Sequence, residues 1–220
     1  MKAVILDMFG VILKQTGEEF YSYVRQFFPE RTEKEIYTIW NRADLGEISS
    51  LEVWRQLGFQ GNLEEREKEF LDTLEVNGGF YEFASEAGKQ CKLAILSNDS
   101  SRWSRYIREK FGINPYFDVI NISGDLKRKK PDRYVFELTR QQLGVEAREC
   151  VYIDDRRKNL SAARDVGMDT VLFNSRNVDF GGKTVHNFRE LGELLGIFKV
   201  PVGMFQGSRS GSCNLETRPY

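Results

Sequence analysis

Five short apolar runs punctuate this chain, and they leave few folds open. Ala3-Val4-Ile5-Leu6 is rich in β-formers and ends in Asp7. Lys92-Leu93-Ala94-Ile95-Leu96 ends in Ser97-Asn98-Asp99, and Phe117-Asp118-Val119-Ile120 is a third run. Cys150-Val151-Tyr152-Ile153 ends in Asp154-Asp155, and Thr170-Val171-Leu172-Phe173 is the fifth. Runs with so little polar alternation predict strands covered on both faces. Most are separated by room for a helix of ten or more residues, which predicts crossovers between parallel strands. The expected class is α/β, a doubly wound parallel sheet.

Between residues 17 and 88 the texture changes. Charged and aromatic residues recur there at helical spacing, and no strand-like run interrupts them. Thr32-Glu33-Lys34-Glu35 and Ser49-Ser50-Leu51-Glu52 fit the capping box, a hydroxyl at the helix start and a Glu three residues on. Gly46, Gly58 and Gly61 mark helix ends or turns. Four or five helices are predicted, inserted after the first strand. The organisation is then a core of residues 1–16 and 89–197, a helical insertion over 17–88, and a flexible tail over 198–220. In the core, one helix is predicted to run to Phe111, one from about Asp132 to Leu143 with Pro131 at its first turn, one stopping at Gly167, and one from about Asn187 to Leu195. The tail run Gln206-Gly207-Ser208-Arg209-Ser210-Gly211-Ser212 is small and polar, native or an expression scar.

Composition removes several classes of function. Lys plus Arg is 32 and Asp plus Glu 33, a formal charge of −1, which argues against nucleic acid as the partner. No apolar run approaches a membrane span, and no signal peptide is visible. Cys91, Cys150 and Cys213 are far apart and odd in number, which reads as free thiols in a reducing cytoplasm. Nothing demands more than a monomer.

Ligands of open parallel sheets bind at the carboxyl ends of the strands. Asp7, Ser97-Asn98 and Asp154-Asp155 stand there, and Lys130 opens a helix between the last two. Three converging carboxylates repel unless a cation sits among them or one holds a proton. A hard cation with oxygen ligands and open positions is most naturally Mg²⁺. A lysine and a serine hydroxyl beside it suit a phosphate group.

These residues resemble the four motifs of the haloacid-dehalogenase-like superfamily, in order, over roughly residues 1 to 175. Asp7-Met8-Phe9-Gly10-Val11 resembles the first, Leu96-Ser97-Asn98 the second and Lys130-Pro131-Asp132 with Phe136 the third. Val151-Tyr152-Ile153-Asp154-Asp155, with Asn159, Ala162-Ala163 and Gly167-Met168, resembles the fourth. The insertion is similar to the family's α-helical cap. Asp44-Leu45-Gly46-Glu47-Ile48-Ser49 with Trp54 is similar to caps of bacterial sugar-phosphate phosphatases and of the N-terminal domain of soluble epoxide hydrolases. The resemblance implies a phosphohydrolase for a small phosphorylated metabolite, with Asp7 as nucleophile. It implies that Ser97, Asn98 and Lys130 bind the phosphate. It implies Mg²⁺ held by Asp7, the Phe9 carbonyl and Asp155, with Asp154 binding through water or orienting Lys130.

The chain departs from the family's phosphatases at one position. They carry a second Asp two residues after the nucleophile, as the acid for the leaving group, and here Phe9 stands in its place. Loss of a general acid costs about 10²–10⁴ in rate. Three readings follow. The substrate has an acidic leaving group, as in a sugar 1-phosphate, an acyl phosphate or an aryl phosphate. Or the chain is a 2-haloacid dehalogenase, against which the paired acids argue. Or it is a catalytically weak binding module, against which the intact Asp7, Lys130 and Asp155 argue. Elsewhere, His186 reads as a surface residue and Lys127, Arg128 and Lys129 as a solvated run. Trp40, Trp54, Phe20, Tyr23 and Phe27 read as packing of the insertion. Arg102 and Trp103 read equally as substrate contacts or helix surface, and Asn159 as a brace for the metal loop.

Overall fold

The computed structural model describes residues 1–15 and 17–198. Cys213 and the tail from residue 199 lie outside the described residues. Six strands form one sheet, parallel throughout: β1 (Ala3–Leu6), β2 (Lys92–Ser97), β3 (Val119–Ile122), β4 (Cys150–Asp154), β5 (Asp169–Phe173) and β6 (Thr184–Val185). Their order is β3-β2-β1-β4-β5-β6, the doubly wound Rossmann-like arrangement. The central strands are buried along nearly their whole length, as unbroken apolar runs require.

Ten helices complete the described residues: α1 (Glu18–Phe27), α2 (Glu33–Asp44), α3 (Ser50–Leu57), α4 (Leu63–Asp72), α5 (Phe80–Gly88), α6 (Ser101–Lys110), α7 (Ser123–Leu126), α8 (Arg133–Leu143), α9 (Arg157–Val166) and α10 (Phe188–Leu194). The capping box at Thr32 is complete. At Ser49 only half of it forms: the hydroxyl accepts from the Glu52 N–H, but the Glu52 side chain turns to Arg55 and Gln56.

Two local expectations are displaced. β3 starts two residues late, because the Asp118 side chain takes the Leu93 N–H (2.8 Å) that a strand carbonyl would otherwise accept. Pro131 precedes α8 rather than opening it, because the Asp132 carboxylate caps the helix at the Tyr134 N–H. The two-residue β6 carries no periodicity and had no sequence signal.

Helices α1 to α4 pack on one another in chain order, whereas α5 packs on β2 and α10. An aromatic cluster fills the interior of the first four. Phe20 meets Trp40, Trp54, Phe70 and Trp103 edge-on, with ring centroids 4.8–5.3 Å apart. Edge-to-face pairs each add about 0.5–1.5 kcal/mol beyond burial. Trp103 belongs to α6 of the core, so the cluster itself joins the two layers. Glu67 of α4 completes the joint. Buried at 3% exposure, it accepts from the Trp54 indole (3.1 Å), the Trp103 indole (2.6 Å) and Arg102 Nε (2.7 Å). Arg102 and Trp103 are therefore engaged by the inserted helices.

Glu67→Ala strands two buried indole donors, at on the order of 1–3 kcal/mol each. Its melting temperature is expected to fall by roughly 5–15 °C, at about 2–4 °C per kcal/mol for a chain of this size. Glu67→Gln, which keeps an acceptor, is expected to fall by less than half as much. Thermal unfolding followed by near-UV circular dichroism measures both, and an unchanged Glu67→Ala transition would refute the joint.

Candidate active site

Asp7, Ser97 and Asp154-Asp155 stand at the carboxyl ends of β1, β2 and β4. β1 and β4 are neighbours where the strand order reverses direction, the crevice in which such sheets bind ligands. Asp7 is buried, and its Oδ1 accepts the Met8 N–H at 2.7 Å. Its Oδ2 lies 2.8 Å from Lys130 Nζ. The same ammonium donates to Asp154 Oδ2 at 2.9 Å, so Lys130, only 1% exposed, bridges two strand ends. Asn98 fixes the lysine from behind. Its Oδ1 accepts the Lys130 N–H (2.8 Å) and its Nδ2 donates to the Lys130 carbonyl (3.0 Å). Both ends of the Asn98 amide are thus used on the Lys130 backbone.

The paired acids have different surroundings. Asp154 accepts from Lys130, the Tyr152 hydroxyl, the Arg156 N–H and Asn159 Nδ2, so its oxygens are saturated. Asn159 braces this loop, as its place in the sequence suggested. Asp155 Oδ2 accepts from Arg176, which also reaches Glu18 at the start of α1. Asp155 Oδ1 is buried with no hydrogen-bond partner, Arg156 Nε being 3.9 Å away, and Ser97 Oγ has none either. The turn after Asp7 presses against this carboxylate: a Cβ on Gly10, at φ +75°, would lie 2.7 Å from Asp155 Oδ2. Only glycine fits there.

Burial pushes the Asp7 carboxyl up to about 7; Lys130 opposes that and the charges of Asp154 and Asp155 add to it. Burial and then Asp154 raise Asp155 as well, against the pull of Arg176. Burial works against the Asp154 charge too, but Lys130 and the Tyr152 hydroxyl outweigh it and hold that group low. One oxygen from each of the three acids lies within 4.8 Å of the others. Two reluctant carboxylates and a stranded oxygen fit a cation, and the all-oxygen set fits a hard one such as Mg²⁺.

Above the acids is a cavity of about 70 Å³. Asp7, Phe9 and Lys130 line it from the sheet side; Tyr21, Trp40 and Asp44 line it from α1 and α2. Asp44 is buried, and Lys129 Nζ donates to its Oδ2 at 3.1 Å. Burial raises this carboxyl, with Lys129 opposing.

The run before Lys130 departs from expectation. Lys127 Nζ donates to the Gly46 carbonyl (2.8 Å) and Lys129 pairs with Asp44, so two of its three charges reach the inserted helices; only Arg128 stays local, on Asp132. His186 is exposed. Cys91 and Cys150 are free thiols, the first half-buried and the second buried. Arg176 and Glu67 carried no reading from the sequence. Arg176 follows the end of β5, where the strand-end rule applies. Glu67 is an acid sharing an apolar face with Phe70 and Leu71, which is itself a signal.

The strand-end acids, the bridging lysine and the inserted helices form one hydrolase pattern, and residues 1–167 match the family model of the haloacid dehalogenase-like hydrolases. The chain belongs to that family. A phosphorylated carbohydrates phosphatase of Thermotoga maritima is 26% identical over 181 residues, spanning 78% of this chain and 84% of the relative. A HAD phosphatase structure from Thermococcus onnurineus superposes with a TM-score of 0.68 at 24% identity, over 91% of this chain and 100% of that one. A HAD enzyme from Bacteroides thetaiotaomicron, solved with magnesium and inorganic phosphate, has a TM-score of 0.65 at 18% identity, over 82% of this chain and 98% of that one. At these identities the two structures speak for the fold.

Asp7 resists ionisation in the fold, so its stabilising contribution is present below its ordinary 3.8 and is lost as pH rises through about 7. Metal-free protein is expected to lose melting temperature across this window relative to Asp7→Asn. Mg²⁺ is expected to restore the loss above the window and to do little below it. Thermal melts of both proteins across that range, with Mg²⁺ and with chelator, check the sign; parallel curves would refute it.

Proposed function

We propose that this hydrolase is a Mg²⁺-dependent phosphohydrolase that releases phosphate from a phosphorylated carbohydrate through an aspartyl phosphate on Asp7. The observation that carries the reading is the buried Lys130 ammonium, shared by Asp7 and Asp154 beside the stranded oxygens of Asp155 and Ser97. A cation so placed holds phosphoryl oxygens against the nucleophile, and a free hydroxyl can donate to the same group. The carbohydrate comes from the Thermotoga relative's description.

Asp7, Asp155 and the Phe9 carbonyl would hold the metal. When bound, Mg²⁺ neutralises charge on the phosphoryl oxygens. Asp154, saturated by four donor groups, stands behind and orients Lys130. An Asp7 oxygen attacks phosphorus as the bond to the ester oxygen breaks, and that oxygen departs with the electron pair and takes a proton from water to leave as the alcohol. Water then cleaves the acyl phosphate, releasing inorganic phosphate and restoring the carboxylate. Phe9 supplies no proton, which favours esters with acidic leaving groups; among carbohydrates these are the 1-phosphates.

Residues 17–88 act as the cap over a core of 1–16 and 89–197, with α1 to α4 as its closing part. Side chains of α1 and α2 line the cavity that Asp7 lines from the sheet, so a sugar phosphate held there meets the inserted helices.

Purified protein is expected to release phosphate from sugar phosphates and from nitrophenyl phosphate with Mg²⁺ and not with chelator. Asp7→Asn is expected to abolish turnover, and Lys130→Ala to lower kcat at least about a hundredfold. Halide release from a 2-haloacid without metal, in place of phosphate release, would overturn the reading.

A further inference from the structure

We infer that Asp44 and Trp40, on α2, are the specificity-determining residues of this site and that they bind the hydroxyls of the leaving group. The inference rests on the phosphohydrolase reading and adds which part of the substrate the cap reads.

Buried polar atoms without partners are rare in native proteins, and each calls for an explanation. Three, on Trp40, Asp44 and Asn159, lie on residues that line this one cavity, and two more, on Ser97 and Asp155, lie beneath it. Ser97 Oγ and Asp155 Oδ1 stand at the sheet end, where phosphate and metal account for them. Asp44 Oδ1 and Trp40 Nε1 stand on the cap side, where neither does. Asp44 is 7% exposed and Trp40 9%, and both line the cavity that Asp7 lines from below.

The two orphans are chemically opposite. A carboxylate oxygen only accepts, and an indole N–H only donates. A ligand with hydroxyl groups, each a donor and an acceptor, satisfies both at once. A halide or an acyl chain offers Asp44 no donor, and a second phosphate would be repelled by it. Tyr21, Tyr37 and Trp40 add flat ring surface to the same lining, suited to the apolar faces of a sugar ring.

The Asp44 carboxylate is also fixed in place. Lys129 holds Oδ2 at 3.1 Å and leaves Oδ1 for the ligand, which makes Lys129 a positioning residue. The turn just past Asp44 is pressed on the core. A Cβ at Gly46, φ +61°, would fall 2.3 Å from the Gly124 carbonyl oxygen. Asp44 is therefore carried at a set place relative to the loop that ends in Lys130.

The test is a comparison of kcat/KM for glucose 1-phosphate and nitrophenyl phosphate, with Mg²⁺, in wild type, Asp44→Asn and Trp40→Phe. Asp44→Asn is expected to lose about 10–100-fold on the sugar phosphate, mostly in KM, the scale of one hydrogen bond to a charged group. Trp40→Phe is expected to lose about tenfold, the scale of a neutral hydrogen bond. Each loss is expected to exceed that on nitrophenyl phosphate by at least about tenfold. The wild type is also assayed on deoxy analogues of the sugar phosphate, which tests the hydroxyl contact without any variant. At least one is expected to lose what Asp44→Asn loses, and to lose no more when combined with it. Equal losses on both esters, or full activity on every deoxy analogue, would overturn the inference while leaving the phosphohydrolase reading intact. A wild type that hydrolyses none of the esters with Mg²⁺ would overturn that reading, and the inference with it.

Discussion

The candidate site is organised around one buried cation. Lys130 has a side chain with no solvent exposure, and its ammonium lies 2.8 Å from Asp7 and 2.9 Å from Asp154. An unpaired ammonium at that depth would cost several kcal/mol, and so would either carboxylate. The pairings make the burial tolerable, and they tie three separate segments together: the ends of β1 and β4 and the loop before α8. Asn98, past the end of β2, fixes the lysine's backbone from a fourth. The arrangement neutralises only part of the acid charge. Two positive neighbours serve Asp155 from the side, Arg176 in contact and Arg156 at 3.9 Å, and its Oδ1 still has no hydrogen bond.

Much of this core was legible because it is written locally. A strand buried on both faces is an unbroken apolar run, and its carboxyl end is the first polar residue after it. Asp7, Ser97 and Asp154-Asp155 could be placed at one edge of a sheet on that basis alone. Lys130 could be told from Lys127 and Lys129 by Pro131 directly behind it and by the motif order. Those two were misread as solvated. A charge run has no periodicity to reveal which of its members meet another layer, and here Lys127 and Lys129 cross to α2 and its following turn. Arg176 and Glu67 were invisible as partners, because the groups they bond lie 13 or more residues away in the chain. β3 was shifted and β6 missed because an Asp side chain and a two-residue strand lie below what alternation resolves.

Phe9 sits at the meeting of the legible and the hidden. Its identity was plain in the sequence, and so was its consequence, the absence of a proton donor two residues after Asp7. Its surroundings were not. The ring is 8% exposed and lines the cavity floor opposite Trp40, Tyr21 and Asp44. An apolar ring there lowers the local dielectric, which strengthens every charge interaction on Asp7 and adds to the burial that resists its ionisation. The Phe9 ring thus still acts on Asp7, by desolvating it.

Lys129 and Lys130 are adjacent in the chain and serve opposite layers. Lys130 turns down to the acids of the sheet, and Lys129 turns up to Asp44 of α2. Lys127, two residues earlier, holds the Gly46 carbonyl just past the end of α2. Any outward movement of α2 must therefore give up bonds made by the very segment that ends at the central cation. On the far side α4 meets α6 through both kinds of contact: Phe70 packs on Trp103, and Arg102, Trp103, Tyr106 and Lys110 bond to Glu64, Glu67, Leu71 and Asp72. The inserted helices are thus tied to the core by polar bonds at two places. The one beside the cavity is next to the lysine that bridges Asp7 and Asp154, so a shift of α2 and a shift of that lysine act on the same short segment.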